Sequence, residues 1–379
     1  MTEMMTAQAA DPGADPAVVA PADNESLHIN QLLSRAVDVG ASDVHLAVGI
    51  PPRFRISGEM MTVDGVAPMK PQDIRRMVYS ILTQSQRERF EADLELDTSH
   101  SVPGYGRFRL NVFLQRDSLG AVFRVIPWKV KSLDELGLPG AVAALAELQR
   151  GLVLVTGPTG SGKSTTLASL IDIVNTTRAG HIVTVEDPIE FLHSHKRCIV
   201  NQRQVGEDTR SFGEALKHVL RQDPDVILVG EMRDLETISA AVTAAETGHL
   251  VFGTLHTQDA AQSVDRIVDV FPSHQQQQIR VQLSNCLQGV ITQQLIPLAK
   301  GGGRAVASEL LIATAAVRNL IREGKTHQIY STMQSGGRYG MQTMDASLAA
   351  LVRQNKITLA MALDRSHSPE DIRRLVQGT

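Results

Sequence analysis

Residues 157–165 read GPTGSGKST, set between the apolar run GLVLVT and the helix-forming TLASLIDIV. The stretch satisfies G-x-x-x-x-G-K-[ST] with Gly157, Gly162, Lys163 and Ser164, in the strand–loop–helix context the pattern requires. Glycines let successive backbone N–H groups turn towards phosphate oxygens. The following helix presents its positive end to the same place. The spacing therefore predicts a phosphate cradle made of Gly157, Pro158, Thr159, Gly160, Ser161, Gly162, Lys163, Ser164 and Thr165. Lys163 would reach the β- and γ-phosphates of ATP or GTP, and Ser164 would hold Mg²⁺.

A cradle needs a sheet behind it. LVLVT, HIVTVE, DVILVG and LVFGTLH are continuous apolar runs, as expected of strands buried on both faces. Helical stretches lie between several of them, which predicts a mainly parallel α/β sheet. Such sheets bind ligands at the carboxyl ends of their strands. Phosphoryl transfer also needs a carboxylate near the metal, a group that places water, and positive charge on the departing oxygens. TVEDPIEF supplies Glu186, Asp187 and Glu190, and DVILVGEMRD supplies Glu231 just past a buried strand. Glu190 and Asp234 read equally well as loop or helix-cap residues. His256 ends LVFGTLHT and is open to two readings: sensing the γ-phosphate or bracing a carboxylate, or simple packing. His249, ahead of the same strand, reads rather as structural.

The 379 residues are enough for two cores. Residues 1–26 are rich in Ala, Pro and Asp, without an apolar period, and are expected to be a disordered tail. NQLLSRAVDVGA has helical spacing. SDVHLAVG, PRFRISGEM, GRFRLNVFLQR and AVFRVIP alternate as strands, with one or two helices expected in PQDIRRMVYSILTQSQRERFEA. The pattern predicts a small α+β domain over 27–128, a linker over 129–140 that carries KSLDELGLPG, and the nucleotide domain over 141–379. The last hundred residues read as mostly helical, with Ile279, Leu283, Leu287, Val290 and Ile291 at helical spacing.

Several function classes lose support. A net charge of −4 and 4% aromatic residues favour no nucleic-acid partner. Cys198 and Cys286 form neither a metal-binding pair nor a disulfide framework, which suits a reduced, cytoplasmic setting. No apolar run approaches the roughly 20 residues of a membrane span. The first 34 residues carry no Lys or Arg and do not read as a secretory signal, so a membrane role would pass through partners.

GPTGSGKST, VEDPIE, ILVGEMRDLET and TGHLVFGTLHT, in this order, resemble Walker A, the Asp box, Walker B and the His box of the secretion ATPase superfamily. ASDVHL, GIPPRFRISGEM, VFPSHQQQQIRVQLS and AVRNLIREGKTHQI resemble its pilus-retraction branch, and the likeness runs over about residues 27–360. The resemblance implies a PAS-like N-terminal domain and a RecA-like P-loop ATPase domain with a helical C-terminal part. It implies a homo-hexamer at the cytoplasmic face of the inner membrane, working with a platform protein of the pilus machine and with a second retraction ATPase. It also implies that Glu231 and Glu186 serve catalysis and, with Ser164, Mg²⁺, and that Arg109 and Arg124 sense the γ-phosphate. From the residues alone, those two arginines sit on alternating strands and read equally as solvated. AVRNLIRE, with Arg318 and Arg322 four residues apart, is either an ordinary amphipathic helix or a segment for retraction rather than hydrolysis. The HSHKR cluster at 193–197 reads first as a solvated basic loop and second as a segment that lines a ring pore or meets a partner. Accessory retraction, pilus-assembly and type II secretion ATPases are the nearest rivals; an ATP-gated scaffold is the non-motor one.

Overall fold

The computed structural model describes residues 24–56, 58–126 and 129–377. Two compact units follow one another, Met1–Val125 and Ile126–Thr379. Residues 1–23 of the expected tail lie outside the described residues. Asn24–Ser26 form a 3-10 turn, and Asn24 is buried, donating to the Ala67 carbonyl at 3.0 Å.

The first unit holds α1 (Ile29–Asp38), β1 (Asp43–Leu46), β2 (Arg53–Ile56), β3 (Glu59–Thr62), α2 (Pro71–Tyr79), α3 (Gln84–Asp93), β4 (Glu95–Val102), β5 (Gly106–Gln115) and β6 (Ser118–Ile126). Ile29, Leu32, Leu33 and Ala36 form the buried stripe of α1, the i, i+3, i+4, i+7 pattern of an amphipathic helix. A break after Tyr79, followed by the Thr83–Gln86 capping box, makes PQDIRRMVYSILTQSQRERFEA two helices. The six-stranded sheet has the order β3-β2-β1-β6-β5-β4. Its strands alternate: Phe108, Leu110 and Val112 of β5 are buried, whereas Arg109 between them is exposed. PRFRISGEM holds two strands, β2 and β3. β4, ELDTSHSV, is a strand that apolar periodicity does not reveal.

The second unit continues with α4 (Leu133–Leu136), α5 (Ala141–Ala146), β7 (Gly151–Thr156), α6 (Lys163–Thr177), β8 (His181–Glu186), β9 (Ile199–Gln204), α7 (Phe212–Val219), β10 (Val226–Val229), α8 (Leu235–Glu246), β11 (Leu250–Leu255), α9 (Ala260–Asp269), α10 (Ser273–Cys286), β12 (Leu287–Pro297) and β13 (Arg304–Ile312). Five helices close the chain: α11 (Ala315–Arg322), α12 (Ile329–Gln334), α13 (Met344–Arg353), α14 (Leu359–Arg365) and α15 (Pro369–Gln377). The seven-stranded sheet has the order β13-β12-β7-β11-β10-β8-β9. The pairs from β12 to β9 are parallel and β13 is antiparallel to β12. Every residue of β7, β10 and β11 is buried, and separate hydrophobic clusters cover the two faces. α4, in the expected linker, buries Leu133 in one of those clusters.

The expectation of a helix through Leu287, Val290 and Ile291 is corrected. α10 ends at Cys286, and these residues belong to β12. A strand buried on both faces has no alternation, so its apolar residues can mimic a helical period. Pairing with β7 on one side and β13 on the other makes β12 a strand. A Cβ at Gly289 would lie 3.1 Å from both Leu145 and the Leu311 carbonyl, a tight fit that favours glycine in this strand. β9 is a further strand beyond the expected set.

Candidate active site at the carboxyl ends of the central strands

β7 runs into the phosphate loop, and α6 starts at Lys163. Gly157, Gly160 and Gly162 take φ of 136°, 77° and 93°, the left-handed region open to glycine. Gly157 is also sterically required, because a Cβ there would lie 2.3 Å from the Gln293 carbonyl oxygen and 2.7 Å from Ser161 Oγ. Lys163 Nζ curls back over the loop and donates to the carbonyls of Gly157 at 2.9 Å and Pro158 at 3.1 Å. Burial lowers its pKa, against the opposing attraction of Glu231 and Glu190. Within the loop, buried Ser161 Oγ has no hydrogen-bond partner among the described residues. Together the glycine cradle, the helix start and the half-buried lysine fit a nucleotide's phosphates. Ser164, the second residue of α6, stands where a hydroxyl would meet Mg²⁺. Among the described residues no group of three His, Cys, Asp or Glu forms a ready cation cage. Mg²⁺ is ordinarily held by one or two protein oxygens plus phosphates, so this donor set suits it.

The acids sit at neighbouring strand ends. Glu231 follows β10; its Oε1 accepts from Arg233 Nε and lies 3.0 Å from His256 Nε2. His256 follows β11, so parallel pairing of β10 and β11 brings the two together. His256 thus stands beside a carboxylate, the arrangement the bracing reading expects. Glu231 Oε2 has no protein partner among the described residues and is free to accept from water.

Glu186 is placed differently. It ends β8 and accepts from Thr184 Oγ1 at 2.6 Å, from Gln202 Nε2 at 3.2 Å and from Glu190 N at 3.4 Å. Burial raises its pKa despite these donors. Glu190 is the Asp-box carboxylate that, with Glu231, attracts Lys163. Asp234 caps α8, accepting from Thr237 N at 2.9 Å. His249 Nδ1 meets the Ala244 carbonyl at 3.0 Å, at the opposite end of the sheet.

Arg109 and Arg124 belong to the first unit. Arg124 Nε donates to buried Asp43 at 2.8 Å, and Arg109 approaches exposed Asp97 at 3.9 Å. Burial alone would raise the Asp43 carboxyl. Hydrogen bonds from Arg124 and Ser42 outweigh it and hold the group below the usual carboxylate range. Arg318 does not join Arg322 on a solvated face. It donates to the carbonyls of Ser284 at 2.7 Å and Asn285 at 2.8 Å, and to Gln288 Oε1 at 3.0 Å, closing the end of α10. The HSHKR loop is pinned to α6 through Lys196–Asp172 and Arg197–Thr177. Within it, burial lowers the His193 pKa to about 4.

Residues 22–375 match the family model described as Type II/IV secretion system protein. The chain belongs to this family. Among curated relatives, the type IV pilus retraction ATPase PilT of Pseudomonas aeruginosa is 51% identical over 345 residues, 91% of this chain and 100% of that one. The type IV pilus ATPase PilU of the same organism is 41% identical over 351 residues, 93% of this chain and 92% of that one. Among solved structures, the crystal structure of the pilus retraction motor PilT with bound ADP superposes with a TM-score of 0.86 at 50% identity. It covers 92% of this chain and 99% of that one. The expected α/β secretion-ATPase fold stands, as does the enzyme class: this member of the secretion family is a nucleotide-binding ATPase. Among the described residues, no helix is long and apolar enough to cross a membrane.

Proposed function

We propose that the chain is a Mg²⁺-dependent ATPase motor that powers type IV pilus retraction and twitching motility. The observation that carries the reading is Glu231, braced by His256 and Arg233 at a strand end beside a complete phosphate loop. Backbone N–H groups of the loop and Lys163 bind the phosphates, and Ser164 would hold Mg²⁺, which would supply charge neutralisation. Glu231 accepts a hydrogen bond from the attacking water through its free oxygen, and Glu190 stands as the second candidate for that task. Glu186, fastened to Thr184 and Gln202, positions the loop that carries Glu190. Arg109 and Arg124, of this chain or a neighbouring copy, supply positive charge to the terminal phosphate.

Six chains in a ring at the cytoplasmic face of the inner membrane, acting on a platform protein, would turn sequential closure into disassembly of pilin. The higher identity to PilT than to PilU supports retraction itself over the accessory role. The reading is tested by deleting the gene and restoring it with wild type or Lys163→Ala. Deletion is expected to leave excess surface pili without twitching, which wild type but not Lys163→Ala corrects. Absence of pili in the deletion strain would assign the chain to assembly instead.

A further inference from the structure

The phosphate loop, Glu231 and His256 border a cavity of 580 Å³, and one group on its wall has no place in the scheme above: Arg266 of α9. Thr159, Met232, Arg233, Leu255 and Thr257 complete the lining. Its charges are unevenly matched. Glu231 is engaged by Arg233 and His256. Arg266 lines the cavity, is exposed, and has neither an ion-pair nor a hydrogen-bond partner among the described residues.

We infer that Arg266 binds the terminal phosphate of ATP, from the same chain that supplies the phosphate loop. The inference rests on the reading of residues 157–165 as that loop. Its α- and β-phosphates belong against the backbone leading into α6. Only Thr159 of the loop lines the cavity, on the side of the strand ends that carry Glu231 and His256. The group that fits there is the one beyond the β-phosphate. ATP with Mg²⁺ and Lys163 still carries negative charge, and a guanidinium is the side chain best shaped to meet phosphoryl oxygens.

The mount is firm. Asp259 caps α9, accepting from Gln262 N at 2.7 Å, and buried Glu309 accepts from Ala260 N at 2.8 Å. Ser263 Oγ meets Thr257 Oγ1 at 2.6 Å, tying the first turn to the cavity wall. Ala260, Ser263, Val264, Ile267 and Val268 form the buried stripe of the helix, which leaves Arg266 off the core face. Helical side chains lean towards the N-terminus, here the end that carries Thr257.

The test uses the full chain with Mg²⁺ and two probes, ADP and a non-hydrolysable ATP analogue, in titration calorimetry. In Arg266→Ala the analogue is expected to bind about tenfold more weakly, with ADP changed less than about twofold and kcat reduced at least about tenfold. Arg266→Lys, which keeps the charge and the aliphatic stem, is expected to fall between the two. Unchanged analogue affinity in Arg266→Ala overturns the inference. So does equal weakening of both nucleotides in Arg266→Lys, the pattern of a merely structural residue. Wild-type protein that binds neither nucleotide would instead overturn the phosphate-loop reading, and this one with it.

Discussion

The two sheets place their charged residues by opposite rules. In the second unit, β7, β10 and β11 are buried throughout, so a charged side chain has room only where a strand ends. Glu231, His256 and the phosphate loop all sit at such ends. In the first unit each strand of the β4–β5–β6 region has an outer face, and charge can occur at every second residue. Arg109 lies mid-strand with an exposed partner, and Arg124 lies mid-strand on a buried one. A parallel sheet thus concentrates chemistry, whereas a half-exposed antiparallel sheet scatters its charges among merely solvating ones.

The largest expected effect tests whether that scattered charge matters. Arg109→Ala and Arg124→Ala should each cut kcat by about 10³–10⁵-fold if they supply charge to the terminal phosphate. They should differ in stability. Arg124→Ala removes a donor from buried Asp43 and should cost about 1 kcal/mol, seen as a lowered thermal midpoint. Arg109→Ala should leave the midpoint unchanged, since both members of its pair are exposed. Wild-type turnover in both variants would make the outer face of this sheet ordinary surface.

Next in size is a contrast within the buried sheet. Glu231→Gln should lower kcat by about 10²–10⁴-fold with little change in nucleotide affinity. Glu190→Gln should cost more turnover than Glu186→Gln, because Glu186 is occupied by Thr184 and Gln202. Steady-state kinetics on the three variants decide the order. A Glu186→Gln loss equal to that of Glu190→Gln would return the larger role to Glu186.

These contrasts follow what a sequence can and cannot express. The phosphate loop is local, so nine consecutive residues with their flanks carry it. The strand-end acids are legible because the buried strands before them are unmixed apolar runs. Which acid of VEDPIE is tied up by its neighbours is not legible: Gln202, which holds Glu186, comes from a different strand. β12 fails for the reason β7 succeeds, since an apolar run buried on both faces also satisfies a helical period, and only its pairing with β7 and β13 decides. β4 fails in the opposite sense, through polar residues on both of its faces. Arg266 carries no motif, and its position depends on where α9 is fastened.

The smallest effect separates two arginines that a helical wheel places together. Arg318 is half-buried and holds two carbonyls at the end of α10, while the Arg322 side chain is exposed. Arg318→Ala leaves those carbonyls without their donor and should cost about 1–3 kcal/mol. In a unit of this size that lowers the thermal midpoint by roughly 2–10 °C, and ATPase activity should decline with it at elevated temperature. Arg322→Ala should leave both stability and hydrolysis at wild-type values, so any loss of twitching it causes would mark a contact surface. If Arg318→Ala instead melts with wild type and loses only twitching, its bonds to Ser284 and Asn285 are incidental. The exposed and buried sides of α11 would then share one task, and burial would no longer separate support from function on this helix.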